Sequence, residues 1–216
     1  RKESSAASDV YKRQPVEIRS FSEEEIRNNA LCMPDADAAA KASAYLEQCL
    51  NSQDSAGGVI ECRIKNVPAG LGDTVFDKLD ATLAHAIMSI GAVKGFEIGD
   101  GFAAADSTGS TNNDSFTIKD GRIVKKTNHS GGVLGGMSDG SDIIIRAAVK
   151  PTPSIARTQE TVSKSGEDIE VSIKGRHDPM IVPRAVVVVE AMTAVTLVDM
   201  IFANICLLYT SPSPRD

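Results

Sequence analysis

An α+β fold is predicted for this 216-residue chain on three observations. A period-two run from Val59 to Val67 sets Ile60, Cys62 and Ile64 on one face and Glu61, Arg63 and Lys65 on the other, the signature of a half-buried strand. Apolar residues recur at helical spacing on both sides of it, from Pro34 to Ser52 and from Thr74 to Ser89. Farther along, Asp120-Gly121 stands between two β-prone runs, the dipeptide of a tight hairpin. Strands mixed with long helices and joined by hairpins imply a layered β-α-β sandwich, not a doubly wound parallel sheet.

The elements follow in order. Ser22 with Glu25 three residues on is a capping box, so a short helix is expected over Glu23 to Asn29. Pro34 at a first-turn position, with Asp35 and Asp37 behind it, starts the next helix, whose inner face is Ala38, Ala42, Leu46, Cys49 and Leu50. A turn at 54–58 leads into the strand. The helix after it is expected to bury Phe76, Leu79, Leu83, Ala86 and Ile90. His85 within that helix is read as structural. Phe116–Lys119 and Arg122–Lys125 form the hairpin, Ile143–Val149 an apolar strand ended by Lys150-Pro151, and Ile169, Val171 and Ile173 mark a second pair. The last element is ambiguous by pattern alone, since Val186 to Val189 looks β-like, but Pro183 at a first-turn position and Glu190 to Ala194 favour a helix to about Asn204.

A formal net charge of −6 argues against nucleic-acid binding, which needs a basic face to displace counterions. Anion-binding cations must therefore be local: Arg146, Lys150, Lys174, Arg176 and Arg184. Lys125-Lys126 is read as a solvated charged edge. Cys32, Cys49 and Cys62 show neither C-x-x-C nor zinc spacing, so no metal site is predicted and the thiols are read as small buried hydrophobes in a reducing compartment. No apolar run approaches the ~20 residues of a membrane span, so the protein is expected to be cytoplasmic, with no membrane partner.

Two segments are rich in chemistry. Asn128 to Gly140 carries five glycines, which let backbone amides approach an anionic or flat ligand closely, although it lacks the ending of a P-loop. Gly175-Arg176-His177-Asp178-Pro179 packs a guanidinium, an imidazole and a carboxylate between a glycine and a proline. These two, with Gly91-Ala92 in Ser89–Phe102 and Lys150-Pro151-Thr152-Pro153-Ser154, stand in the order seen in chorismate synthases, and the chain resembles that family over nearly all of Pro15 to Asn204.

The resemblance implies antiparallel sheets around a helical layer and a homotetramer. It also implies the reaction, a 1,4-elimination of phosphate from 5-enolpyruvylshikimate 3-phosphate to give chorismate in the shikimate pathway, using reduced FMN with NADPH as a possible reductant. The implied cofactor contacts are Gly91, Ala92, Gly135, Lys150, Pro151, Thr152, Pro153, Ser154 and Arg176. Lys150 and Arg176 suit a phosphate or an anionic reduced ring. Asp178 resembles the family's general base, and Arg184 is ranked as a substrate-side cation. Met180 and Val187 stand where the family usually has Cys and Pro.

A non-catalytic flavin- or phosphate-binding module is the alternative, and a purely structural assembly protein a weaker one. Ser4–Gln14 and Cys206–Asp216 resemble translated sequencing-library adapters. On that reading 1–14 and 206–216 are non-native tails, expected to be disordered or arbitrarily placed, and 15–205 is the C-terminal part of a truncated synthase-like domain. The family's N-terminal histidines, phosphate-binding arginines and Ser-rich flavin segment have no counterpart here, so the chain by itself is expected to be inactive.

Overall fold

The strand expected at Val59 is present, and a sheet is built around it. The computed structural model describes residues 4–9, 22–119, 121–173, 175 and 178–210. In chain order its elements are β1 (Ser4–Asp9), α1 (Glu23–Arg27), α2 (Ala36–Asn51), β2 (Gly58–Ile64), α3 (Leu79–Met88), β3 (Val93–Ile98), a 3-10 turn (Gly101–Asp106), α4 (Gly109–Asn112), β4 (Phe116–Lys119), β5 (Arg122–Lys125), β6 (Val133–Leu134), β7 (Met137–Ser138), β8 (Ile143–Val149), β9 (Gln159–Val162), β10 (Asp168–Val171) and α5 (Val182–Thr210). Two units divide them, the first centred on Glu61–Ala147 with the chain from Val187 onward, the second on the chain up to Ile60 with Ala148–Val186.

A four-stranded sheet runs in the order β1-β2-β8-β3. Alternation decides which face is dry: Ile60, Cys62 and Ile64 of β2 and Ile143, Ile145 and Ala147 of β8 are at most 1% exposed, while the residues between them are partly or fully exposed. Leu79, Leu83 and Ile87 form the fully buried stripe of α3. Each such side chain stabilises the fold by about 1.5–3 kcal/mol. Burial also pushes the Cys62 thiol up to about 12, which leaves it a packing residue without nucleophilic character.

Helix α5 buries Val189, Thr193, Leu197 and Met200 at three- and four-residue spacing, the pattern of a helix laid on a core. It also corrects an expectation. Its stretch Val182–Cys206 is long and apolar enough, by length and composition, to cross a membrane, because Glu190 and Asp199 break the run in sequence without ending the helix. Val187, Val195, Val198 and Phe202 lie exposed on it.

In the second unit Ser22 and Glu25 cap α1 reciprocally, with Glu25 Oε2 2.7 Å from the Ser22 amide. Asp35, not Pro34, starts α2: its carboxylate accepts the Asp37 and Ala38 amides at 2.9 and 3.0 Å. The buried stripe of α2 is Ala39, Ala42 and Cys49, and Leu50 is exposed. Strands β9 and β10 pair antiparallel, Ile169 opposite Thr161, as an exposed hairpin.

One further expectation is corrected. Helix α3 begins at Leu79, five residues late, because Gly72 and Val75 hold positive φ, and Phe76 is left 87% exposed. At the ends of the described chain, 4–9 form an edge strand and α5 continues through 206–210. The Asp120-Gly121 hairpin has the expected register, Ile118 opposite Ile123, although Asp120 itself lies outside the described residues.

Replacing Leu83 by Ala is expected to lower stability by about 2–5 kcal/mol in urea unfolding. Phe76→Ala, at an exposed position, is expected to change it by no more than about 0.5 kcal/mol.

Candidate functional site

The glycine-rich segment folds as a tight hairpin. Val133 pairs with Ser138 and Leu134 with Met137, and the two corner residues, Gly135 and Gly136, have φ of 59° and 88°, as a two-residue turn of this hand requires. The other glycines are fixed by close approach. A Cβ on Gly132 would stand 2.6 Å from the Asp142 carbonyl oxygen, one on Gly131 would enter the backbone of Gly99, and one on Gly136 would meet the Lys78 stem. Gly135 differs, because nothing lies within 4 Å of where its side chain would be. Its backbone faces open space, available to a ligand.

Gly91 and Ala92 form the turn between α3 and β3. The amide of Val93 bonds the Ile90 carbonyl at 3.2 Å, and Ala92, not Gly91, takes the positive φ of 71°. The glycine therefore stands where conformation does not demand one, with no neighbour within 4 Å, while alanine bears the strained position. Helix α3 separates this turn from the hairpin corner, since the Leu79 amide at its start bonds the Gly136 carbonyl at 2.8 Å and Gly91 follows its end. At 1.5 Å per residue the separation is on the order of 15 Å, which only an extended ligand spans.

At the foot of the hairpin, sequence reasoning missed a buried polar cluster. The Asp114 carboxylate accepts Thr127 Oγ1 at 2.7 Å, the His129 amide at 2.8 Å, and the Ser130 amide and hydroxyl at 3.0 and 2.9 Å. Lys125 bridges Asp114 and Asp139 with its side chain 4% exposed, so it is not the solvated edge its doublet suggested. Burial acts to raise the Asp114 carboxyl. The bonds from Thr127, Ser130 and His129 overcome it and hold the group well below the usual carboxylate range. Asp139 is lowered in the same way, by Lys125 and Ser141 against burial. Beside them His129 Nδ1 lies 2.7 Å from Asp100 Oδ2. Arg146 donates to the Gly99 carbonyl at 2.6 Å and faces Glu97 at 3.4 Å, which commits that cation to the fold.

The second unit holds Lys150, Pro151, Thr152, Pro153 and Ser154 just past β8, together with Asp178 and Arg184. Lys150 is exposed. The Thr152 hydroxyl is buried with no hydrogen-bond partner among the described residues, a cost of about 1–3 kcal/mol unless a ligand or water meets it. Arg184 Nη1 lies 2.8 Å from Asp178 Oδ2 and Nη2 3.2 Å from Oδ1, a two-pronged ion pair at a partly exposed position. Arg176 and His177 lie outside the described residues. The structure thus places the carboxylate at 178 and the amine at 150 in one unit, and Gly91, Ala92 and Gly135 in the other.

Comparison with known proteins gives a consistent result. The family model described as chorismate synthase matches residues 4–202. A chorismate synthase of Agathobacter rectalis is 68% identical over 192 residues, covering 88% of this chain and 52% of that protein. One from Archaeoglobus fulgidus is 54% identical, covering 89% and 52%. A crystal structure of chorismate synthase superposes with a TM-score of 0.68 at 28% identity, over 92% of this chain and 56% of the other. The chain spans about half the length of the curated relatives it matches.

Gly132→Ala is expected to cost well over 1 kcal/mol, because strain at positive φ adds to a collision with backbone. Gly135→Ala is expected to cost only the conformational part, about 1 kcal/mol. Chemical denaturation of the two variants checks this. The lowered carboxyls also fix a pH dependence. Their contribution is complete above the unfolded value, about 3.9, and fades only as pH falls toward the depressed folded value. Amide-exchange protection at His129 and Ser130 is therefore expected to persist as pH passes below 4.

Proposed function

The chain belongs to the chorismate synthase family, and on that premise we propose that it is the C-terminal part of a flavin-dependent lyase. The reaction is the 1,4-elimination of phosphate from 5-enolpyruvylshikimate 3-phosphate, giving chorismate. The observation that carries the reading is the buried Thr152 hydroxyl in the Lys150–Ser154 run, without a partner among the described residues and held in the same unit as the Asp178–Arg184 pair. A polar atom kept dry without a partner fits a place that a polar ligand completes.

Reduced FMN, when bound, supplies an electron-rich ring that assists departure of the phosphate. The residues present fit such a group. Within the second unit Thr152 offers a hydroxyl and Lys150, with Arg176, offers positive charge to a phosphate or an anionic ring; within the first, Gly135 and Gly91 offer backbone with open space before it. Asp178 is the proton acceptor, and Arg184 holds both its oxygens and so fixes its orientation. A homotetramer of full-length chains, a cytoplasmic site and supply of reducing equivalents from NADPH belong to the same reading.

Because half of the relatives' length has no counterpart here, the chain alone is expected to show no turnover, and a rate typical of intact relatives would overturn its incompleteness. Anaerobic titration with reduced FMN is expected to show tighter binding when the substrate is present. Equal affinity with and without substrate would favour a flavin-binding module without catalysis. In enzyme reconstituted with the complementary half of a relative, Asp178→Asn is expected to lower kcat by about 100-fold or more. Unchanged turnover would remove Asp178 from the reaction.

A further inference from the structure

The turn 54–58 touches both chemistry-bearing segments of the second unit. Ser55 Oγ donates to the Thr152 carbonyl at 2.7 Å, across 97 positions of sequence. One residue on, the Ala56 amide donates to the Pro179 carbonyl at 2.7 Å, next to Asp178. Gly57 completes the contact: a Cβ there would stand 2.5 Å from the Val149 carbonyl oxygen and 3.0 Å from Pro151 Cδ. Its φ is not in the left-handed region, so the need for glycine is one of space alone. The preceding residues extend the seam, with the Arg157 amide on the Gln53 carbonyl at 3.3 Å and Arg157 Nη1 3.5 Å from Asp54 Oδ2. Three consecutive residues thus bind two distant segments, one through a hydroxyl, one through an amide and one through the absence of a side chain.

We propose that this turn sets the spacing between the Lys150–Ser154 run and the Asp178-Pro179 corner, with Ser55 and Gly57 as positioning residues for the cofactor contacts and the proton acceptor. The proposal rests on the functional reading of those two segments given above. Neither residue need touch a ligand. Ser55 fixes the carbonyl of Thr152, whose own hydroxyl is the unpartnered one, and Ala56 fixes the carbonyl that follows Asp178. A displacement of the turn therefore moves both segments together. Removal of Ser55's hydroxyl alone loosens chiefly the first.

The test uses the whole chain, isotope-labelled, as wild type and as Ser55→Ala, Ser55→Thr and Gly57→Ala. In Gly57→Ala the amides of Thr152, Ser154, Asp178 and Met180 are expected to shift, and those of Ala56 and Arg157, which donate across the seam, to exchange at least tenfold faster, while those of Ile143 and Ile145 do not change. Ser55→Ala is expected to affect Thr152 and Ser154 more than Asp178, and Ser55→Thr, which keeps the hydroxyl, to restore them. Reduced FMN, titrated anaerobically, is expected to bind both damaged variants at least tenfold more weakly. Unchanged amides in both segments would overturn the proposal, as would perturbed amides with FMN affinity within twofold of a wild type that binds it. If Gly57→Ala fails to fold, the Ser55 pair decides. Absence of FMN binding by the wild type would refute the cofactor reading, and the amide data would still decide whether the turn holds the two segments.

Discussion

Backbone pressed on backbone, with no room for a side chain, is the constraint on which the rest of this molecule depends. Gly99 and Gly131 meet in this way, and the adjoining amides are not left without partners: Gly99 donates to the Ile144 carbonyl at 2.9 Å, and Ile144 donates to that of Gly131 at 3.3 Å. The glycine hairpin is thereby seated on β8. Gly57 against Val149 does the same in the second unit. Such approaches bury peptide groups, which stay buried only when each finds a partner. The geometry is correspondingly stiff, and stiffness is what a site needs if its contact atoms are mostly backbone.

The charged cluster under the hairpin follows from the same logic. Lys125 between Asp114 and Asp139 takes three charges out of water, and attraction within a pair seldom offsets that loss by itself. Here the balance is met by further donors, since Asp114 also receives a hydroxyl and an amide from Ser130, the His129 amide and the Thr127 hydroxyl. Three of those four come from the first residues of the glycine segment, so satisfying the carboxylate and placing the loop are one event. The chain in this way uses a lysine for architecture.

What could be read from sequence was local. The Ser22–Glu25 box, the alternation of β2 and β8 and the Asp120-Gly121 hairpin depend on residues a few positions apart, and the sequence-predicted elements match the structure there. The order of the motifs was legible through their resemblance to a family, which the family model over residues 4–202 bears out. Lys125 was not, because its partners lie 11 and 14 residues away and a Lys-Lys doublet looks the same whether wet or dry. Phe76 was misplaced because helical spacing counts apolar residues and not the positive φ at Val75 that keeps the helix from starting earlier. That α5 is long and apolar enough to cross a membrane was missed because Glu190 and Asp199 interrupt its apolar residues in sequence, although the helix carries both without a break. Contacts such as Ser55 to Thr152 leave no trace in spacing at all.

The pairing of Asp178 with Arg184 raises the question of whether a carboxylate already engaged through both oxygens can accept a proton. Each oxygen has two lone-pair directions, and a guanidinium fork uses one on each. The remaining directions point away from the fork, so the pair leaves an acceptor on each oxygen while suppressing rotation of the carboxylate. Arg184 is the more exposed partner, its side chain 72% exposed against 35% for Asp178, so the carboxylate is the better sheltered of the two. On the reading proposed for Asp178, an exposed cation that orients a half-buried carboxylate does not have to leave for that carboxylate to accept a proton. On the same reading Arg184 serves as the holder of Asp178, since drawing its engaged charge to a substrate phosphate would release the carboxylate just as the proton must be taken.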